Sequence, residues 1–192
     1  MDFYFKLVGS GDDPEHEYNQ RRHVVYDQVD MWFGEKSTVK DGDVLFLYAV
    51  NTSRIRYLYG YAIVIGKDNY KATNHPKWKW SRGILPVKVI TDLRSSLVHD
   101  LDNPLHSQIF PLKKSRKDAS ITWGVGGCVK IKEDVDGYEL LNKINSLDDN
   151  LCRNIVIEDV IESMKSSHPN TAIKLESDRE QWITYAENLK SR

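Results

Sequence analysis

Residues 44–65 read VLFLYAVNTSRIRYLYGYAIVI: two runs of aromatic and β-branched residues, Val44–Val50 and Tyr57–Ile65, on either side of the polar Asn51-Thr52-Ser53-Arg54. Runs of seven to nine such residues bounded by turn formers are strand signals, and two of them around a short polar connection read as a hairpin. Asp41-Gly42-Asp43 is the turn that launches the first strand. Gly60 sits in the middle of the second, where a missing side chain marks a bulge or a close approach of other backbone.

Outward from this hairpin the pattern continues. Phe3–Val8 reads as a first strand ending at Gly9-Ser10-Gly11, Leu85–Ile90 alternates between Gly83 and Asp92, and Ile121–Trp123 and Cys128–Lys132 are further extended pieces. Between Tyr18 and Phe33, Val24, Val25, Val29 and Trp32 or Phe33 fall near helical spacing, which predicts a helix closed by Gly34. Five or six strands within about 130 residues favour a small barrel over a layered α/β fold. After Asp136 the period turns helical: Gly137–Ile144, Arg153–Lys165, and a last helix from Ser177 to about Leu189 behind the capping box Ser177-Asp178-Arg179-Glu180. The expected division is residues 1–136 as barrel and 137–192 as a helical tail that packs on the barrel or docks a partner. Deleting residues beyond about 150 is expected to spare binding.

The 192 residues carry a formal net charge of −1, unevenly distributed. Residues 1–130 hold 19 Lys and Arg against 15 Asp and Glu, hence +4; residues 131–192 hold 8 against 13, hence −5. No run of about 18 apolar residues and no secretory pattern occurs, so the cytoplasm is the expected location and no membrane contact is expected. Cys128 and Cys152 are far apart and in no metal-ligand spacing, and Cys128 reads as a small buried apolar residue.

The Gly-Asp turn, LFLYAVN at 45–51, GYAIVIG at 60–66, a Trp-bearing loop and then LPVKVI at 85–90 together resemble the EVE domain and its relative the YTH domain. The segment KKSRKDAS at 113–120 resembles the basic stretch before the last barrel strand of YTH domains. The resemblance spans residues 3–132. It implies an α+β fold, a PUA-like barrel with flanking helices and a C-terminal helical extension. It also implies a function: flipping one base, commonly methylated, and holding it in an aromatic pocket. Such modules stand at the N-terminus of McrB-type modification-dependent restriction proteins, which makes DNA the expected polymer and an NTPase or nuclease subunit, fused or separate, the expected partner. No phosphate-binding Gly-x-x-x-x-Gly-Lys-Ser/Thr loop is present, so such a motor would lie elsewhere.

A base outside a duplex needs flat aromatic faces to replace its lost stacking, and fixed donors and acceptors for its edge. Trp78 and Trp80 alternate with Lys77 and Lys79 in HPKWKWSRG, combining stacking surfaces with phosphate-seeking charge. The resemblance adds Tyr26 as a cage aromatic, with Trp32 as its competitor, and Tyr48 and Asn51 as pocket wall. Tyr70 competes with Trp78 for the second cage position, and Asp118 either accepts from the base or orients Arg116. Lys113, Lys114, Arg116 and Lys117 form the densest basic run; with Arg21, Arg22 and Arg54 they are the phosphate-binding candidates.

Catalysis is not expected. No lysine follows an Asp or Glu by two positions, and no His-x-x-x-His, Cys-x-x-Cys or Gly-x-Ser-x-Gly occurs, so neither a metal nor another cofactor is called for. The alternatives are an RNA-binding PUA-like module and an ASCH-like small hydrolase or ribonuclease. The latter would need a Lys or Tyr beside a carboxylate, for example Lys88 with Asp43.

Overall fold

The computed structural model describes residues 1–11, 30–33, 38–51, 56–68, 80–91, 97–99, 128–131 and 133–192. Among the described residues seven strands form one sheet: β1 Phe3–Gly11, β2 Asp30–Phe33, β3 Val44–Asn51, β4 Arg56–Asp68, β5 Trp80–Val89, β6 Leu97–His99 and β7 Cys128–Lys130. The order is β2-β5-β4-β3-β1-β7, with β6 added to β4. The predicted hairpin is β3–β4, antiparallel from Val44 opposite Ile63 to Val50 opposite Arg56. β1 runs parallel to β3, Phe3 opposite Val44, and makes the sheet mixed. Four helices follow: α1 Asp134–Asn145, α2 Ile157–Ser167, α3 Pro169–Ser177 and α4 Arg179–Lys190. The class is α+β.

Gly60 does both things expected of it. The register with β3 skips Tyr59, since Leu47 faces Gly60 and Tyr48 faces Leu58, so a bulge lies beside the glycine. A Cβ at Gly60 would also collide with the Lys88 carbonyl and stand 2.9 Å from the Val89 Cα. β4 is thirteen residues long and shares one edge between two partners, β5 over Gly60–Asp68 and β6 over Arg56–Leu58.

Both faces of the sheet are buried. One carries Phe3, Phe5, Phe46, Tyr61, Ile63 and Leu85 and packs against Leu140, Ile144, Ile161, Met164, Leu175 and Leu189 of the four helices. The other carries Tyr4, Leu45, Leu47, Tyr59, Val64 and Ile84 in a second apolar cluster. The helices after residue 133 are therefore one wall of the core. Among the described residues no helix is long and apolar enough to cross a membrane.

Several boundaries differ from those read in the sequence. Asp30–Phe33 is a strand paired with β5, not the end of a helix: a short aromatic segment beside an open strand edge gains ladder hydrogen bonds that override a helical period. Residues 18–29 and Ile121–Trp123 lie outside the described residues. Trp80 opens β5 instead of sitting in a loop, because its backbone pairs with Phe33. The last helix starts at Arg179, and the capping box is not made. Ser177 ends α3, and its Oγ donates to the Lys174 carbonyl at 3.0 Å. The chain passes from α3 to α4 through Asp178 alone, which leaves Ser177 on the wrong side of the break.

Candidate functional site

Of the residues proposed to hold a base, the described part of the structure contains Tyr48, Asn51 and Trp80. Tyr26, Tyr70, Trp78 and Asp118 lie outside it, as do Arg21, Arg22, Arg54, Lys77, Lys79, Lys113, Lys114, Arg116 and Lys117. Tyr48 is 2% exposed and meets the Phe5 ring edge-on, with centroids 6.3 Å apart. The ring packs in the core, because the alternation of β3 that buries Phe46 buries Tyr48 with it.

Asn51 ends β3, next to the pair Val50–Arg56. Trp80 begins β5, next to the pair Asp68–Ser81. The two positions are thus separated by the length of β4, roughly 40 Å for an extended strand of that size. They belong to opposite ends of the sheet. The Trp80 end gathers other aromatic positions, since Phe33 is opposite Trp80 and Trp32 opposite Ser81. In the sequence, Lys77-Trp78-Lys79 immediately precedes Trp80.

The Lys88–Asp43 pair, the example of what a hydrolase could use, is not formed. Asp43 accepts from the Asp2 and Lys40 backbone amides, both at 2.8 Å, and so fastens the N-terminus to the turn before β3. Lys88 is 6% exposed and its ammonium donates to the Asn145 carbonyl at 2.9 Å, the Leu147 carbonyl at 2.7 Å and Asp149 Oδ1 at 2.9 Å. Three protons meet three acceptors, and a cation stands at the C-terminal end of α1, where helix carbonyls lack partners. Asn145 extends the network: its Oδ1 accepts from the Tyr61 hydroxyl at 3.0 Å and its Nδ2 donates to the Leu189 carbonyl at 2.7 Å. Lys88 holds the Asp149 carboxyl below the usual range through this hydrogen bond and its charge. Beside the network lies a cleft of about 320 Å³.

A second buried cation sits on the opposite face. Lys6 of β1 pairs in register with Cys128 of β7. Burial lowers the Lys6 amine to about 8 and raises the Cys128 thiol to about 11. A thiol so displaced is protonated at neutral pH and inert as a nucleophile, although Cys128 is half-buried and not the fully buried residue expected from the sequence. Among the described residues no group of three or more His, Cys, Asp or Glu side chains is placed to hold a metal ion.

No protein family and no curated protein matches the sequence. Similar solved structures include a "YTH domain-containing protein mmi1 and RNA complex", with a TM-score of 0.42 and 12% identity, covering 75% of this chain and 81% of that one. A second is a Mmi1 YTH domain complex with RNA, with a TM-score of 0.43 and 11% identity over 80% and 84%. Likeness at that level decides neither fold nor ligand.

Sequence reasoning missed the Lys88 network. Its signal was present, a lone charge inside the apolar strand LPVKVI, but the partners lie some sixty residues further on.

Proposed function

We propose that this chain binds nucleic acid and holds one unstacked, methylated base against the aromatic residues at the β2–β5 corner, without catalysing a reaction. The observation that carries this reading is the register that sets Phe33 opposite Trp80 and Trp32 opposite Ser81, directly after Lys77-Trp78-Lys79. Phe33 and Trp80, opposite each other and therefore on one face of the sheet, supply aromatic surface for stacking a base, and Lys77 and Lys79 precede Trp80 in the sequence as charges that would neutralise its phosphates. Tyr26, Tyr70 and Asp118 are the further pocket candidates, and the basic run 113–117 the backbone contact. Asn51, at the far end of β4, contacts the polymer away from the base.

The frame proposed for this pocket is a PUA-like barrel. Its support is that the sheet face turned from the helices is as buried as the face they cover, and that bulges interrupt the registers β1–β3, β3–β4 and β4–β5, where a sheet has to curve. No observation favours the hydrolase reading once Lys88 and Asp43 are found with separate partners.

The test is fluorescence polarisation with matched DNA and RNA oligonucleotides, single- and double-stranded, carrying adenine, N6-methyladenine, cytosine or 5-methylcytosine. Tighter binding to one modified form, weakened at least tenfold by Trp78→Ala or Trp80→Ala, is the expected result. A preference for DNA places the chain in modification-dependent restriction, and one for RNA removes it from that setting. No binding to any oligonucleotide at low salt overturns the reading.

A further inference from the structure

Asp41, in the turn before β3, is shared by two cations that reach it from different elements. Lys174 of α3 donates to Asp41 Oδ2 at 2.5 Å, and its ammonium also meets the Ile65 carbonyl at 3.4 Å and stands 6.0 Å over the Trp182 ring of α4. Arg82 of β5 brings Nη1 to 3.7 Å from Asp41 Oδ1, close enough for attraction between charges and too far for a hydrogen bond. Two cations against one carboxylate leave a net positive charge. The Arg82 side chain is 14% exposed, and among the described residues Asp41 is the only partner of its guanidinium. Its five N–H donors are not taken up by that contact.

The register brings this cation beside the aromatic corner. β2 and β5 pair without a shift from Asp30 opposite Gly83 to Phe33 opposite Trp80. Alternation therefore puts Arg82 on the face that carries Trp80 and Phe33, two residues or roughly 7 Å along the strand. Lys67 of β4 takes the register position next to Arg82. The nearby acids Asp30 and Asp68 stand opposite Gly83 and Ser81, which are positions of the other face. A row of cationic positions thus borders a row of aromatic ones, as a phosphate borders its base.

Resting on the base-binding reading above, we propose that Asp41 positions Arg82 to take the phosphate next to a base stacked at Trp80, and that Lys174 fixes Asp41 from the helical side. The guanidinium fork matches two phosphate oxygens. Asp41 is a positioning residue: it orients Arg82 by charge without consuming its donors, and touches no nucleotide itself. Through Lys174 the helices become part of the binding site.

The test is fluorescence polarisation of the intact 192-residue chain with the N6-methyladenine and 5-methylcytosine oligonucleotides and their unmodified counterparts, from about 50 to 200 mM sodium chloride. Arg82→Ala should weaken modified and unmodified forms alike, about tenfold for one charge-assisted contact, and reduce the slope of log affinity against log salt by about one. Arg82→Lys should keep that slope, whereas Trp80→Ala should erode the preference for the modified form. Asp41→Asn removes a negative charge, so electrostatics alone would tighten binding; loss of positioning weakens it severalfold, which is the expected result. Asp41→Asn and Lys174→Gln should both lose most of their effect in an Arg82→Ala background. Thermal melting of each variant reports its folding separately. The inference is overturned if Arg82→Ala leaves affinity and slope unchanged, if Asp41→Asn tightens binding, or if Asp41→Asn weakens it equally with and without Arg82. A wild type that binds no oligonucleotide sinks the base-binding reading together with this one, whereas a binding wild type with insensitive Arg82 variants sinks this one alone.

Discussion

Lys88 gives the sharpest residue-scale expectation because its partners are unequal. Replacing it by methionine leaves the Asn145 and Leu147 carbonyls without their donor, at roughly 1–3 kcal/mol for each buried polar group so abandoned. Asp149, by contrast, is 93% exposed and water replaces its partner. Urea denaturation should therefore show Lys88→Met losing about 2–6 kcal/mol and Asp149→Asn far less; equal losses would mean that the ion pair, not the capped carbonyls, holds α1 to the sheet. Lys6 makes a different prediction. Its amine titrates near 10.5 unfolded and about 8 folded, so between those values the unfolded chain holds more protons and stability rises with pH. Cys128, raised from 9.0 to about 11, has the opposite sign, because the folded chain holds the extra proton and stability falls as pH climbs past 9. The two leave a window from pH 8 to 9 in which the urea midpoint should climb, and Lys6→Met should flatten it. Both buried lysines were visible in the sequence as charges inside apolar runs. What they touch was not, because strand alternation assigns a face and says nothing about a partner brought there by the fold.

At the scale of elements, Gly60 and Gly42 separate two uses of glycine. Gly42 has φ +84° with nothing within 4 Å of a Cβ, so Gly42→Ala should cost only the left-handed backbone penalty, roughly 1–2 kcal/mol. Gly60 lies against the backbone of β5, which cannot yield without breaking the ladder, so Gly60→Ala should cost more than the Gly42 variant and lower the thermal midpoint further. The reverse order would show that β4 and β5 separate more easily than their register implies. These elements were also the ones best read from sequence. β3, β4 and the second half of β5 announce themselves by aromatic and β-branched runs, and Asp41-Gly42-Asp43 by its turn chemistry. β2 and β6 do not, since strands of four and three residues carry too little pattern to stand apart from a helical period or a loop. The parallel pairing of β1 with β3 is set by where the long connection returns the chain, which local pattern does not record. Trp80 was recognised by its lysine neighbours, yet its strand position emerged only with β2 beside it.

For the molecule as a whole, the charge boundary near residue 130 suggested a tail that either packs on the sheet or docks a partner, and the apolar packing joins its helices to the sheet. Val160, Ile161, Met164, Leu175 and Leu189 belong to the same core as Phe46, Ile63 and Leu85, and Leu140 and Ile144 lie between them. Removing residues after 150 withdraws five large apolar side chains from the sheet. At about 1.5–3 kcal/mol each this is comparable to the roughly 5–15 kcal/mol that holds a domain of this size together. The truncated chain should therefore lose its cooperative thermal transition and expose the sheet face to a hydrophobic dye, in place of the intact binding module that the charge division predicts. A truncation that still melts cooperatively would restore the tail as an appendage. It would also make the Lys88 network, with its reach to Asp149 and Leu189, an ornament of the fold instead of the fastening between sheet and helices.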